Sequence, residues 1–395
     1  MAEITMNDIL AQETKRHPHT FYTPLRESER LFYVEGLESW VLTTYEDALW
    51  LLKDPRFTKD SRKLYTSGDD RHPMHTEMAD RMRNMLMTDP PDHTRLRGLV
   101  SKAFTPRMIE QLRPRIQQIA DELLDAVQDQ GEMDLIAAFA YPLPITVISE
   151  MLGIPTTDRQ QFRVWTQALV NAEAQEARVL ALQEFLTYIK RLLDEKRAHP
   201  AADLVSGLVQ VEENGDQLRE NELISMIFLL IVAGHETTVN LIGNGSLALL
   251  QHPDQWQQVQ RDPSLLPTAV EELLRYTAPV SLSDERWATE DIPLHSKVIH
   301  KGDMVVAALI SANADPQHVS GGDELDITRQ ENHHLAFGKG IHFCLGAPLA
   351  RLEGQIAFGT LARRLPNLRL ACDPAQLIWN SNPMLRGLRS LPVTF

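Results

Sequence analysis

The sequence predicts a mainly α-helical protein with small β-sheets, folded as one domain over residues 1–395. Apolar residues recur at steps of three and four along most of the chain. Two short β-like pairs stand out, one near residue 31 and one near residue 297. No Pro/Gly/Ser-rich linker divides the 395 residues, and no internal repeat or low-complexity segment interrupts them.

A β-rich N-terminal part is expected within about residues 1–60. Leu31–Val34 and Trp40–Thr43 flank Glu35-Gly36 as a hairpin. Thr44 then caps a helix, with Asp47 at its third position and Ala48, Leu49 and Leu52 on its apolar face. The polar stretch from Ser61 to Met74 reads as a loop. Ile109, Leu112, Ile116, Ile119, Leu123 and Val127 fall on one face of a single helix. Leu143–Leu152 is a helix stopped by Gly153 and Pro155. Leu182, Phe185, Ile189 and Leu192 mark another. Glu220 to Gln251 reads as one helix, about 48 Å long at 1.5 Å per residue. It is apolar on nearly all sides at its middle, so it crosses the interior. Lys297–Ile299 and Met304–Leu309 flank Lys301-Gly302 as a second hairpin, and Ala347–Leu361 is a late helix.

Lys plus Arg is 39 against 54 Asp plus Glu, a net charge of −15. That balance excludes a general nucleic-acid binder. Two cysteines cannot build a disulfide framework, which fits a reducing compartment. The first residues lack the basic and apolar runs of a secretory signal. The longest apolar run, Leu223 to Gly234, falls short of the roughly 20 residues of a membrane span. These features predict a soluble, cytoplasmic protein, without membrane or nucleic-acid partners.

The strongest chemical signal is Phe337-Gly338-Lys339-Gly340-Ile341-His342-Phe343-Cys344-Leu345-Gly346. Glycines permit tight positive-φ turns and close approach of backbone to a flat ligand. Cys344 lies just before a helix N-terminus, where the dipole favours thiolate, a ligand for a soft or borderline metal. Cys372 has no such setting. A zinc site from His333, His334, His342 and Cys344 matches no standard spacing. His235-Glu236 is not an H-E-x-x-H protease motif, because Val239 stands where the second His belongs.

The ten residues resemble the haem-ligand loop of the cytochrome P450 family, F-G-x-G-x-H-x-C-x-G, at every fixed position. The resemblance implies the cytochrome P450 fold, with haem b between the long helix and this loop. Cys344 is then the axial thiolate, which pushes electron density onto iron and favours O–O cleavage. His342 contacts a propionate, Phe337 packs near the thiolate, and Gly338 and Gly346 shape the loop. Glu272-Leu273-Leu274-Arg275 matches the family's E-x-x-R, joined by Arg329 as a structural brace. Ala233-Gly234-His235-Glu236-Thr237-Thr238 resembles its oxygen-activation motif. Gly234 lets the helix open locally over iron. Thr237 donates to the oxygen held there, and Glu236 relays protons.

His93 and Arg97 resemble the family's H-x-x-x-R, and Arg286 a further propionate arginine. Two departures from the family pattern are an extra residue between Arg275 and Arg286, and Ala314 where many bacterial relatives carry arginine. The family pocket corresponds to Met82, Met85, Leu86, Val232, Ala233, Val280, Leu282, Met384 and Leu385.

The activity implied is insertion of one oxygen atom from O2 into a medium-sized hydrophobic substrate, by hydroxylation or epoxidation. The chain has no flavin or nicotinamide motif, so electrons come from a separate ferredoxin or flavodoxin with an NAD(P)H reductase. Arg95, Arg97, Lys102, Arg107, Arg113 and Arg115 form a candidate docking patch for that carrier on a monomeric enzyme. The competing readings are a peroxide-driven peroxygenase, disfavoured by Glu236-Thr237, and a haem-binding sensor or carrier without turnover.

Overall fold

In a computed structural model of the chain, the described residues are 4–64, 82–171, 175–213 and 215–395. They form a mainly helical protein with small sheets. The chain divides into two compact units. One comprises Met1–Leu64, Gln117–Tyr141 and Thr237–Phe395. The other comprises Tyr65–Ile116 and Pro142–Glu236.

The first unit opens on helices Met6–Leu10, Gln12–Arg16 and Pro18–Ser28, ahead of the first strand. These five- to eleven-residue helices are too short for a periodic signal, so the N-terminal part is less β-rich than the sequence suggested. Strands Leu31–Val34 and Ser39–Leu42 pair antiparallel around a 3-10 turn. Glu38 takes φ 49° in that turn, in place of a tight Glu-Gly corner. Thr44 accepts the Asp47 N–H and caps helix Tyr45–Lys53. Its buried face is Ala48, Leu51 and Leu52; Leu49 is only half-buried, one position off the expected stripe.

Met304–Ala307 does not pair with Lys297–Ile299. It lies parallel to Ser39–Leu42 and antiparallel to Arg286–Ala288 in a five-stranded sheet completed by Leu31–Val34 and Phe57–Thr58. Lys297–Ile299 instead pairs with Ile292–Leu294 across His295-Ser296. Both turn residues have positive φ, 48° and 62°, as a two-residue hairpin of the right twist requires. Asp47 receives the His295 ring at 2.8 Å, which anchors the turn without a glycine. A second sheet joins Glu132–Asp134, Pro392–Thr394 and Arg369–Leu370. Two apolar clusters back the five-stranded sheet, one around Leu42, Leu51 and Val305, the other around Tyr22, Val41 and Leu282.

The expected single helix from Ile109 to Val127 is two, Pro106–Gln111 and Arg113–Asp125. Pro114 has no N–H to continue the first, and the turn ends at Leu112. Leu124 rather than Leu123 is buried as a result. The helix Pro142–Met151 stops at Gly153, φ 71°. Gln175–Ala198 buries Phe185, Ile189 and Leu192. The central helix runs from Glu220 to Gln251 without interruption, so no local opening occurs at Gly234. It is long and apolar enough to cross a membrane, yet 61% of its most apolar window is buried inside the protein, as in a core helix. Of the expected Ser61–Met74 loop, Ser61–Lys63 is a short 3-10 turn, and residues 65–81 lie outside the described residues.

Candidate active site

The ligand loop is shaped by its own backbone. Gly338 and Gly340 take φ 67° and 75°. A Cβ at Gly340 would come within 2.8 Å of the Leu52 carbonyl, so only glycine fits there. The Cys344 N–H donates to the Phe337 carbonyl at 2.9 Å and the Phe343 N–H to Gly340 at 3.1 Å. This turn leaves Cys344 exposed, three residues ahead of helix Ala347–Arg364. Gly346, directly before that helix, would place a Cβ 3.8 Å from the Cys344 sulfur.

Behind the loop sits an arrangement that sequence reading missed. The Arg351 guanidinium lies 4.6 Å over the Phe337 ring. It is held by Glu271, with Nε at 2.6 Å and Nη2 at 2.8 Å. His334 Nε2 reaches the same carboxylate at 3.2 Å. Burial pushes the Glu271 carboxyl up, but the Arg351 and His334 bonds outweigh it and hold its pKa at about 2. The adjacent Glu272 is fully buried and bidentate with Arg275, at 2.7 Å from both Nε and Nη2. It also accepts the Asp326 N–H at 2.9 Å and the Asn332 amide at 3.0 Å, and Arg329 Nε lies 3.3 Å away. A helical i,i+3 pair and a distant loop thus share one carboxylate.

Arg286 is buried in its strand, two residues after Asp284. Asp284 is ion-paired to Lys59. Burial raises its carboxyl, while Lys59, Arg286 and His342 together hold it below the ordinary range. Lys59 and Asp284 are 225 positions apart, a pairing no local motif announces. His342 lies in the 3-10 turn of the ligand loop. Thr237, half-buried, opens the part of the central helix that belongs to this unit.

The other unit carries His93, Arg97, Ala233, Gly234 and Glu236. His93 is buried and Arg97 half-buried, one turn apart on helix Asp92–Ala103. Burial, then the Arg97 charge, lowers the His93 pKa. Glu236 is buried, with its carboxyl pushed up to about 7 by desolvation alone. His235 turns its Nδ1 to the Ile231 carbonyl at 2.8 Å, and its other nitrogen is 3.9 Å from Glu236. Ala233 is exposed in the middle of the apolar stretch, between buried Ile231 and His235. A Cβ at Gly234 would meet only Ile148, at an ordinary contact distance of 3.6 Å, and the helix continues through the glycine unbroken.

The expected pocket residues divide between the units. Met82, Met85, Leu86 and Val232 belong to one, where Ser225 Oγ donates to the Arg83 carbonyl at 2.8 Å and ties residues 82–87 to the central helix. Val280, Met384 and Leu385 meet in the other: Val280 bridges Leu385, and the Ser281 N–H donates to Met384 at 2.7 Å. Leu282 is a correction. It is 1% exposed and packs with Ile9, Tyr22, Val41 and Ile310 as core. The basic patch also changes. Arg95 pairs with Glu222 and Asp216, Arg113 with Glu110, and Arg115 with Glu150; Lys102, Arg107 and Arg113 are the exposed members of the patch. Among the described residues, no cluster of three His, Cys, Asp or Glu side chains is placed to hold a metal ion.

A family model described as Cytochrome P450 matches residues 162–390, more than half of the chain. The chain belongs to the cytochrome P450 family. It is 53% identical to cytochrome P450 CYP107DY1 of Priestia megaterium, over the full length of both. The structure of the bacillaene polyketide synthase P450 PksS of Bacillus subtilis superposes with TM-score 0.92 at 46% identity, covering 98% of each chain. The myxobacterial P450 CYP267B1, solved with myristic acid, superposes with TM-score 0.91 at 46% identity, covering 98% of this chain and 99% of its own.

This P450 is a haem-thiolate monooxygenase with haem b as its cofactor, acting on a hydrophobic substrate with electrons from redox partners. The sensor and peroxygenase alternatives are not favoured. The residues present fit the cofactor. Cys344 offers an exposed sulfur on a glycine-shaped loop, and a Cβ at Gly338 would meet nothing within 4 Å. Soft sulfur beside open, glycine-lined space is what a flat, iron-bearing group needs.

Proposed function

We propose that Cys344 is the proximal thiolate of this P450 and that Glu236 and Thr237 deliver its protons. The observation that carries the reading is the pair of unlike environments: an exposed thiol on a glycine loop, and a buried carboxyl beside a half-buried hydroxyl. Haem supplies the oxygen chemistry when bound. Cys344 holds it through sulfur. His93, Arg97, Arg286 and His342 neutralise its propionates, with Asp284 and Lys59 fixing the charge around Arg286. Ala233 and Gly234, which add little side-chain bulk to the helix, would leave room for the group. A carboxyl with pKa about 7 is half protonated at neutral pH, so Glu236 both gives and takes up a proton at its carboxyl oxygen. Thr237 holds the last proton at Oγ. Glu272, Arg275 and Arg329 brace the core behind the ligand loop.

The substrate in this reading is a medium-sized, apolar molecule of polyketide or fatty-acyl type. The apolar residues Met82, Met85, Leu86, Val232, Val280, Met384 and Leu385 support it, as do relatives that act in polyketide biosynthesis or were solved with a fatty acid. The electron donor is a ferredoxin or flavodoxin, an acidic carrier for which exposed Lys102 and Arg107 are candidate contacts. We read the enzyme as a cytoplasmic monomer. The test is the visible spectrum of the purified holoprotein, reduced under carbon monoxide. A strongly red-shifted Soret band is expected. A band typical of histidine ligation would refute the assignment of Cys344.

A further inference from the structure

Residues 379–388 form a hairpin, with Trp379 bridging Leu388 and the Asn380 N–H donating to Gly387 at 2.9 Å. Its tip turns on Asn382, whose side-chain oxygen accepts the N–H groups of Met384 and Leu385, both at 2.9 Å. The tip carries Met384 and Leu385. On one side it is pinned to residues 279–281, through Ser281 N–H to Met384 and Arg386 N–H to Pro279 at 3.0 Å. On a second side Asn244 of the central helix donates to the Arg386 carbonyl at 2.7 Å.

The third side is the short helix Gln12–Arg16. Gln12 exchanges two bonds with the Trp379 backbone, at 3.0 and 2.8 Å. Lys15 is 3% exposed. Its Nζ donates to the Asn382 carbonyl at 2.6 Å and the Leu385 carbonyl at 3.0 Å, one on each flank of Met384. Among the described residues no carboxylate lies within salt-bridge distance of it. The charged group that faces it is a second buried cation: Arg386, stacked 4.0 Å over Trp379, donates to the Lys15 carbonyl at 2.7 Å and to Thr277 at 3.0 Å. Glu13 and Arg16 on the same short helix pair with each other, and His19 follows one turn on.

We propose that Lys15 is a positioning residue for the substrate pocket, pinning the Met384-Leu385 tip through two carbonyls that a neutral amine matches one for one. A neutral amine has two N–H groups, and two carbonyls receive them. A charged one brings a third N–H and an unpaired charge into a buried site beside another cation, which is costly. Burial first, then Arg386, lowers the Lys15 pKa to about 7, in agreement with that geometry. Linkage sets the sign of the pH effect. Lys15 loses its proton near pH 7 when the hairpin is closed, but only near its ordinary value of 10.5 when the hairpin opens. Closure is therefore weakest below about pH 7 and strengthens as pH rises above it, by at most about tenfold per unit.

The inference rests on the reading of Met384 and Leu385 as pocket residues, and the test separates the two. Amide-exchange protection factors are measured on the holoprotein, for wild type, Lys15→Met and Lys15→Arg, at about pH 7 and about pH 9. In wild type, protection of the Asn380, Ser281 and Arg386 amides is expected to rise at least about tenfold over that range. Lys15→Met, with no donor, and Lys15→Arg, a permanent cation, show lower and pH-flat protection there. Protection of the Cys344 amide and the carbon monoxide band stay as in wild type. In parallel, a Soret titration with 4-phenylimidazole at about pH 9, where the probe is neutral, is expected to show several-fold weaker binding in both variants. Wild-type-like protection in Lys15→Met overturns the proposal, as does a loss that extends equally to Cys344. Loosening of the three amides with unchanged probe affinity leaves Lys15 as the hairpin pin and overturns the pocket reading.

Discussion

Replacing Glu272 by Gln keeps the shape of the side chain and removes its charge. The cost is set by the bonds its two oxygens make. One carboxylate oxygen accepts from Arg275 Nη2 and the Asp326 N–H; the other accepts from Arg275 Nε and the Asn332 amide, with Arg329 Nε 3.3 Å away. Whichever oxygen becomes the amide NH2 then faces at least two donors. Arg275, 2% exposed, keeps the carbonyls of Asn313, Gly322 and Glu324 as acceptors but loses its ion-pair partner. Breaking a buried pair in this way costs about 3–5 kcal/mol. Unfolding entropy for a 395-residue chain is about 0.8 kcal/mol per kelvin. The thermal midpoint of the holoprotein, followed by circular dichroism, should therefore fall by about 4–6 °C for a single transition. The carbon monoxide band should lose intensity in step, because the cluster braces the segment leading to Phe337. Arg329→Gln, at the rim of the cluster, should cost about 1 kcal/mol. A midpoint for Glu272→Gln within 1 °C of wild type would refute the reasoning.

Other expectations concern single side chains. Cys344→Ser should bind haem weakly at best and lose monooxygenase turnover; full turnover in that variant would exclude Cys344 as the ligand. Thr237→Ala should still give a substrate-induced Soret shift while diverting reducing equivalents to hydrogen peroxide, read as the ratio of product to NAD(P)H consumed. Glu236→Gln should lower coupled turnover on the order of 100-fold and remove the inflection near pH 7. Glu353 is fully buried, with one oxygen lacking a hydrogen-bond partner among the described residues, and burial raises its carboxyl to about 8. Its stabilising neutral form is present below about pH 4.5 in both states, and the stability is lost as pH rises towards 8, on the order of 5 kcal/mol in total. Glu353→Gln should flatten that decline in urea-denaturation curves between pH 5 and 8; parallel curves would contradict it.

The features legible in the sequence are those whose cause is local. Cys344 and its glycines, the 32-residue central helix and the Thr44 cap each depend on neighbours within a few positions. What was misread depends on distant partners or on one overriding residue. Met304–Ala307 looks like half of a hairpin until the parallel partner at residues 39–42 is known. His295-Ser296 makes a positive-φ turn without glycine because Asp47, 248 positions away, holds the ring. Leu282 has pocket-like chemistry, but its neighbours from the N-terminal helices turn it into core. Lys59 with Asp284, and Glu271 with Arg351, supply charge around the ligand loop through pairings that spacing alone cannot reveal.

The parallel seam between Ser39–Leu42 and Met304–Ala307 bears on how the chain is made as well as how it folds. Ser39 hydrogen-bonds across it to Met304, 265 positions later. At about 5–20 residues per second, the ribosome needs roughly 13–53 s to deliver the second strand after the first. Throughout that interval one edge of the N-terminal hairpin is unpaired and apolar, an open template for other nascent chains. Slow translation past residue 42 lengthens that exposure, and codon choice between the two strands should therefore influence how much protein emerges unaggregated.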